Sequence, residues 1–141
     1  MPLRRRKARE LCLQILFQSE LTKQAPAAVL PQFFRDHPHD ADISEYAKAL
    51  ACGYWEHRTV IDETISNASE HWKLSRMSEV DRNILRMAAY ELLYMTDVPR
   101  EVSIDEAIEI AKRYGAEESS AFINGVLDHL KQIDTPMPRV S

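Results

Sequence analysis

The chain has 141 residues, 45% of them hydrophobic and 28% charged, with a formal net charge of −4. That is one domain's length with apolar content for one sizeable core, and only three glycines (Gly53, Gly115, Gly125) argue against a many-turned β-protein or a Gly-rich phosphate loop. No apolar run approaches the ~20 residues of a membrane span, and residues 1–6 have no apolar stretch behind their arginines, so the expectation is no signal peptide and a cytoplasmic location.

The first predicted helix runs from about Leu3 to Thr22, with Ala8, Leu11, Cys12, Ile15, Leu16 and Leu21 at helical spacing. Its start carries Arg4, Arg5, Arg6, Lys7 and Arg9, five of the chain's 18 basic residues, and all 22 acidic residues come after them. The chain is therefore a basic end, residues 1–9, on an acidic body. Cations in the first turns face an unfavourable helix dipole and repel one another, so their placement points to a partner. Arginine's planar fork suits phosphate oxygens; the alternative is a solvated terminus with incidental charge.

Pro26 and Pro31 break or restart the chain, and Val29, Leu30, Phe33 and Phe34 make a short apolar helix whose boundary Pro31 leaves open. The segment Asp36-His37-Pro38-His39-Asp40 reads as a polar loop; its histidines lack the further spaced ligands of a metal site. Asp42 is placed as the cap of the next helix with Glu45 as its reciprocal partner. Apolar spacing continues through Ile43, Ala47, Leu50, Ala51, Tyr54 and Trp55. Thr59 with Asp62 suggests another start, or a kink near His57.

Ser78 opens the strongest helix, predicted to about Thr96, whose stripe of Val80, Ile84, Leu85, Met87, Ala88, Leu92 and Met95 marks it as the buried centre. Glu91 on that helix calls for a cationic partner, with Arg58 and Arg76 as candidates. After Pro99, Ser103 through Glu106 resembles a capping box, and Gly115 a left-handed helix end. Ser119 or Ser120 opens a last helix, and Pro136 and Pro138 leave a tail over 134–141. The expectation is an all-α compact bundle of about seven helices.

Catalytic chemistry needs a nucleophile beside a base, paired carboxylates, a metal or a cofactor loop. The histidines are scattered, and Cys12 and Cys52 sit in apolar helical patterns as reduced core residues rather than a reactive thiol or a disulfide. No enzyme, cofactor or metal is expected. A helix-turn-helix is also disfavoured, because no later helix carries a basic, base-reading face.

Several segments in fixed order resemble the NusB family. They are Arg4-Arg5-Arg6-Lys7-Ala8-Arg9-Glu10 with Leu16-Phe17, Trp72-Lys73-Leu74 with Arg76-Met77 and Val80-Asp81-Arg82, and Ile84-Leu85-Arg86 with Tyr90-Glu91-Leu92. The most specific block is Ile104 through Gly115, closed by Phe122-Ile123-Asn124-Gly125-Val126-Leu127-Asp128. The resemblance covers nearly the whole chain and implies one helical domain over 1–141 made of two packed sub-bundles. It implies a transcription antitermination factor that binds boxA-type single-stranded RNA with NusE, a small-subunit ribosomal protein. That pair joins an RNA polymerase complex in ribosomal RNA transcription. Both monomers and homodimers are compatible with it.

By this resemblance the RNA-binding residues are Arg4, Arg5, Arg6, Lys7 and Arg9 on the arm, Lys112 and Arg113 as phosphate contacts, and Phe17, Tyr114 and Phe122 as stacking aromatics, with core packing the alternative for Phe17 and Phe122. Glu79, Asp81 and Arg82 are placed at the NusE contact. Two departures stand out: Ala121 replaces a common lysine, and Asp105 a common asparagine. Glu118 lies beside the RNA surface, where its charge opposes phosphate. The competing readings are a protein-only helical adaptor and a stand-alone module related to RNA cytosine methyltransferases; the chain has no strand and Gly-rich loop for a methyl donor.

Overall fold

The computed structural model describes residues 2–69 and 73–133; the Trp72 motif position and the 134–141 tail lie outside them. Seven α-helices follow one another among these residues: α1 (Pro2–Thr22), α2 (Pro26–Asp36), α3 (Ala41–Glu56), α4 (Arg58–Ala68), α5 (Glu79–Tyr94), α6 (Arg100–Tyr114) and α7 (Ser119–Lys131), with one 3-10 turn at Leu74–Arg76. Helices α1–α3 pack together, as do α4–α7, and α5 joins the two groups by packing on α1 and α3 as well.

The apolar stripe of α5 explains this position. Ile84, Leu85, Met87, Ala88, Ala89, Leu92 and Leu93 are all buried, so the helix is covered nearly all round, as expected from its sequence. Ser78 caps it, its Oγ accepting from the Asp81 amide at 3.1 Å. Helix α1 ends where Lys23 takes the left-handed region at φ 58, and the Gln24 amide reaches back to the Ser19 carbonyl at 3.1 Å. Helices α3 and α4 meet at the single residue His57, a bend rather than a loop.

Four local expectations are corrected. Helix α3 begins one residue before Asp42; its N-cap is Asp40, which makes no capping bond, because both carboxylates bind Arg4 instead. Helix α6 starts at Arg100, three residues ahead of the proposed box, leaving Ser103 buried inside the helix and Glu106 turned toward α1. Gly115 is extended, at φ −93 and ψ −177; what it needs is the absence of a side chain, since a Cβ there would press on Ser119 and the Ala111 carbonyl. Leu21 is 66% exposed, although its spacing fits the core stripe.

The partner of Glu91 is neither Arg58 nor Arg76 but Arg9. The Arg9 guanidinium donates to both Glu91 oxygens at 2.8–3.1 Å, and the Tyr46 hydroxyl also donates to that carboxylate. A second network ties α1, α3, α4 and α5. Arg82 binds Glu20, Arg86 binds Asp62 and Glu20, and the Tyr54 hydroxyl donates to Asp62 at 2.9 Å.

Candidate nucleic-acid interface

Successive helical residues point about 100° apart, so the arm's cations diverge. Arg4 turns to α3, with Nη2 2.8 Å from Asp40 and Nε 2.6 Å from Asp42; hydrogen bonds from Arg4 hold the Asp42 carboxyl down at about 2. Arg6 turns to α6 and binds Glu106 through two bonds at 2.8 and 2.9 Å. The same bonds hold Glu106 below the usual carboxylate range. Arg5 lies on the face of Tyr46, its guanidinium carbon 4.5 Å from the ring centre. Lys7 is exposed and makes no ion pair among the described residues.

Arg9 does not belong to this surface. It is 2% exposed and its donors are taken by Glu91 and, at 3.5 Å, Glu106. In a run of arginines its charge looked like the others; its burial makes it a strut between α1, α5 and α6.

Phe17 and Tyr114 come together. A groove of about 390 Å³ bounded by α1, the end of α2, α5 and the end of α6 is lined by both rings, with Leu13, Leu21, Phe33 and Val80 as further apolar walls. Phe17 is 41% and Tyr114 45% exposed. Glu10 lines this groove and also an adjoining recess formed with Arg6, Glu109, Lys112 and Arg113. The Arg113 Nη1 donates to Glu10 at 2.7 Å, while Lys112 makes only a loose contact with Glu109 at 3.6 Å. Of the arm, Arg6 thus lies on one surface with the end of α6, where the aromatic groove adjoins a recess of mixed charge, while Arg4 and Arg5 face α3.

Phe122 stands apart from that groove. It is half-buried and packs on the core, in a separate recess with Met77, Ser78, Asp81, Glu118 and Ser119 beneath Arg76. Glu79 lines the Phe17–Tyr114 groove and Asp81 the Phe122 recess. The residues assigned to RNA and to a protein partner thus interleave around the start of α5. Arg82 faces inward: besides Glu20 it donates to the Leu74 and Met77 carbonyls at 3.2 and 3.0 Å, pinning the 3-10 segment to α5 rather than offering itself to a partner.

Sequence reasoning missed Glu10, Leu21 and Tyr46. Glu10 is 6% exposed and marked only by following the arginines directly; Leu21 was hidden in the apolar stripe; Tyr46 gave no signal. Among the described residues no group of three His, Cys, Asp or Glu side chains could hold a metal, and no helix is long and apolar enough to cross a membrane. Cys12 is fully buried, and burial pushes its thiol well above the usual range, opposite to what a reactive cysteine needs.

The pattern of the NusB family matches residues 6–132. The transcription antitermination protein NusB of Trichlorobacter lovleyi is 49% identical over 127 residues, 90% of this chain and 89% of that protein. The structure of T. maritima NusB superposes with a TM-score of 0.85 at 44% identity, covering 94% of this chain and 93% of the other. A crystal structure of antitermination factors NusB and NusE in complex with double-stranded RNA superposes with a TM-score of 0.84 at 25% identity, covering 94% and 98%.

Proposed function

The chain belongs to the NusB family of transcription antitermination proteins, and from that premise we propose that it binds single-stranded, boxA-type RNA together with NusE within an RNA polymerase antitermination complex that supports ribosomal RNA transcription. It acts as a cytoplasmic adaptor; it is not an enzyme. The observation that carries the RNA reading is the adjacency of the Phe17–Tyr114 groove to the recess lined by Arg6, Lys112 and Arg113. Exposed aromatic faces beside cations suit unpaired bases on a phosphate backbone. The relative solved with RNA and NusE supports both partners. Its RNA is double-stranded, whereas the exposed rings here favour a single strand.

In this reading Arg5, Lys7, Lys112 and Arg113 are the main phosphate contacts, Arg113 exchanging Glu10 for phosphate because its side chain is 65% exposed, with the less exposed Arg4 and Arg6 contributing once phosphate competes with their carboxylates. Glu79 and Asp81 face NusE; a ribosomal protein is basic, and an acidic rim suits it. Phe122 in its own recess contacts RNA at the junction of the two partners.

The test is a gel shift with boxA-like RNA, single- and double-stranded, with and without NusE, at two salt concentrations. With four phosphates neutralised, log affinity for the single strand falls by roughly 3 per decade of salt. A salt-independent or absent shift overturns the RNA reading and favours a protein-only adaptor.

A further inference from the structure

Arg4, Arg6 and Arg9 each have a carboxylate partner; Arg5 has none among the described residues. Its described contact is the face of Tyr46, 4.5 Å from guanidinium carbon to ring centre. Tyr46 sits on α3 and is itself fixed at two points. Its hydroxyl donates to Glu91 in the core, and Arg9 approaches the same ring at 5.8 Å. Arg5 is thus the arm guanidinium whose charge remains uncompensated, and the ring that carries it is anchored to the buried Arg9–Glu91 pair. A stacked guanidinium keeps its in-plane N–H groups for another acceptor, where one clasped by a carboxylate has already committed them.

We infer that Tyr46 is a positioning residue for RNA binding: its ring holds the Arg5 guanidinium at the surface with its hydrogen-bond donors open to an RNA phosphate. This rests on the RNA reading above and adds a residue that touches no RNA itself. Without the ring, Arg5 can swing toward the neighbouring Asp42 carboxylate, which lines the same recess as Arg4, Arg5 and Tyr46. Tyr46 then sets how many arm cations reach RNA.

The experiment compares Tyr46→Phe, Tyr46→Leu, Arg5→Ala and the Arg5→Ala/Tyr46→Leu double variant in single-stranded boxA-like RNA titrations over a salt series, with thermal unfolding of each. Both Tyr46 variants lose the bond to Glu91, so their difference reports the ring. Tyr46→Phe keeps affinity near that of the parent, while Tyr46→Leu weakens it about two- to fivefold, the range of an exposed cation–π contact. Arg5→Ala reduces the salt slope by roughly 0.7, one single-strand phosphate contact. Adding Tyr46→Leu to Arg5→Ala produces no further loss. Equal affinities for the Phe and Leu variants, or a full additional loss in the double variant, overturn the inference while leaving the RNA reading intact. An Arg5→Ala protein with unchanged affinity and slope overturns the phosphate role of Arg5, and this inference with it.

Discussion

Arg9 of α1 and Glu91 of α5 form a buried ion pair, Nη2 to Oε2 2.8 Å, with their side chains 3% and 1% exposed. The pair crosses from one helical sub-bundle to the other. Two desolvated charges are tolerated there because each is satisfied: Glu91 also accepts from Tyr46, and Arg9 also reaches Glu106. Removing one member strands the other without water.

Glu91→Ala and Arg9→Ala should therefore each lower the unfolding free energy by about 3–5 kcal/mol, the range for breaking a buried pair. Urea denaturation measures it. Replacing both residues with methionine should recover much of the loss, because no lone charge then remains. A loss under ~1 kcal/mol for the single changes, typical of exposed pairs, would contradict the burial.

Acid should loosen the α1–α6 seam. The Arg6 hydrogen bonds hold Glu106 below its ordinary 4.5, despite burial acting the other way. A carboxyl with a depressed native pKa contributes stability that is complete above its ordinary value and disappears as pH falls through the depressed one. Melting temperature should be level near neutrality and drop below about pH 4.5. Glu106→Gln should melt lower at pH 7 and show a shallower acid decline. Parallel curves for parent and variant would refute the assignment.

Tyr114→Ala and Phe17→Ala should each weaken single-stranded RNA binding by about 1–3 kcal/mol, the stacking range per base. Because both rings are more than two-fifths exposed, the loss of stability should be smaller than the ~3–5 kcal/mol typical of truncating a core aromatic. Fluorescence anisotropy and a melting curve on the same samples separate the two effects. Unaltered RNA affinity in both variants would remove the groove from the interface.

Gly53→Ala should be destabilising by about 1–3 kcal/mol, as overpacking is elsewhere in cores. A Cβ at this position overlaps the Tyr90 ring, which is stacked with Tyr94 and His57. Tyr90→Leu, which removes the far edge of the ring, should relieve part of the loss. Calorimetry of the three variants reads it.

Helix order and the central place of α5 were legible because apolar spacing records which face is buried, whatever lies opposite. The family resemblance implied one patch running from the arm to Lys112–Phe122; Arg6 does line a recess with Lys112 and Arg113, but Phe122 lies in a different recess and Arg5 faces Tyr46. The choice of partner was not legible. Glu91 plainly called for a cation, but Arg58 stacks on Trp55 instead, and the cation came from 82 positions away. Ser103 to Glu106 has the composition of a cap, yet a helix begins wherever its first turn can be accommodated, and Pro99 allowed that earlier. Leu21 obeys the stripe but lies past the point where neighbouring helices cover it. One-dimensional spacing identifies a face; the end of the opposing helix decides how far that face is covered.

The aromatic groove has walls from both halves of the molecule: Phe17 and Leu21 from α1, Val80 from α5 and Tyr114 from α6. Anything seated there grips both halves simultaneously. By thermodynamic linkage, occupancy and cohesion between the halves must rise and fall together, so a substitution deep in the seam can alter ligand affinity without approaching the ligand. A fragment carrying only α1–α3 would present one wall and bind correspondingly little.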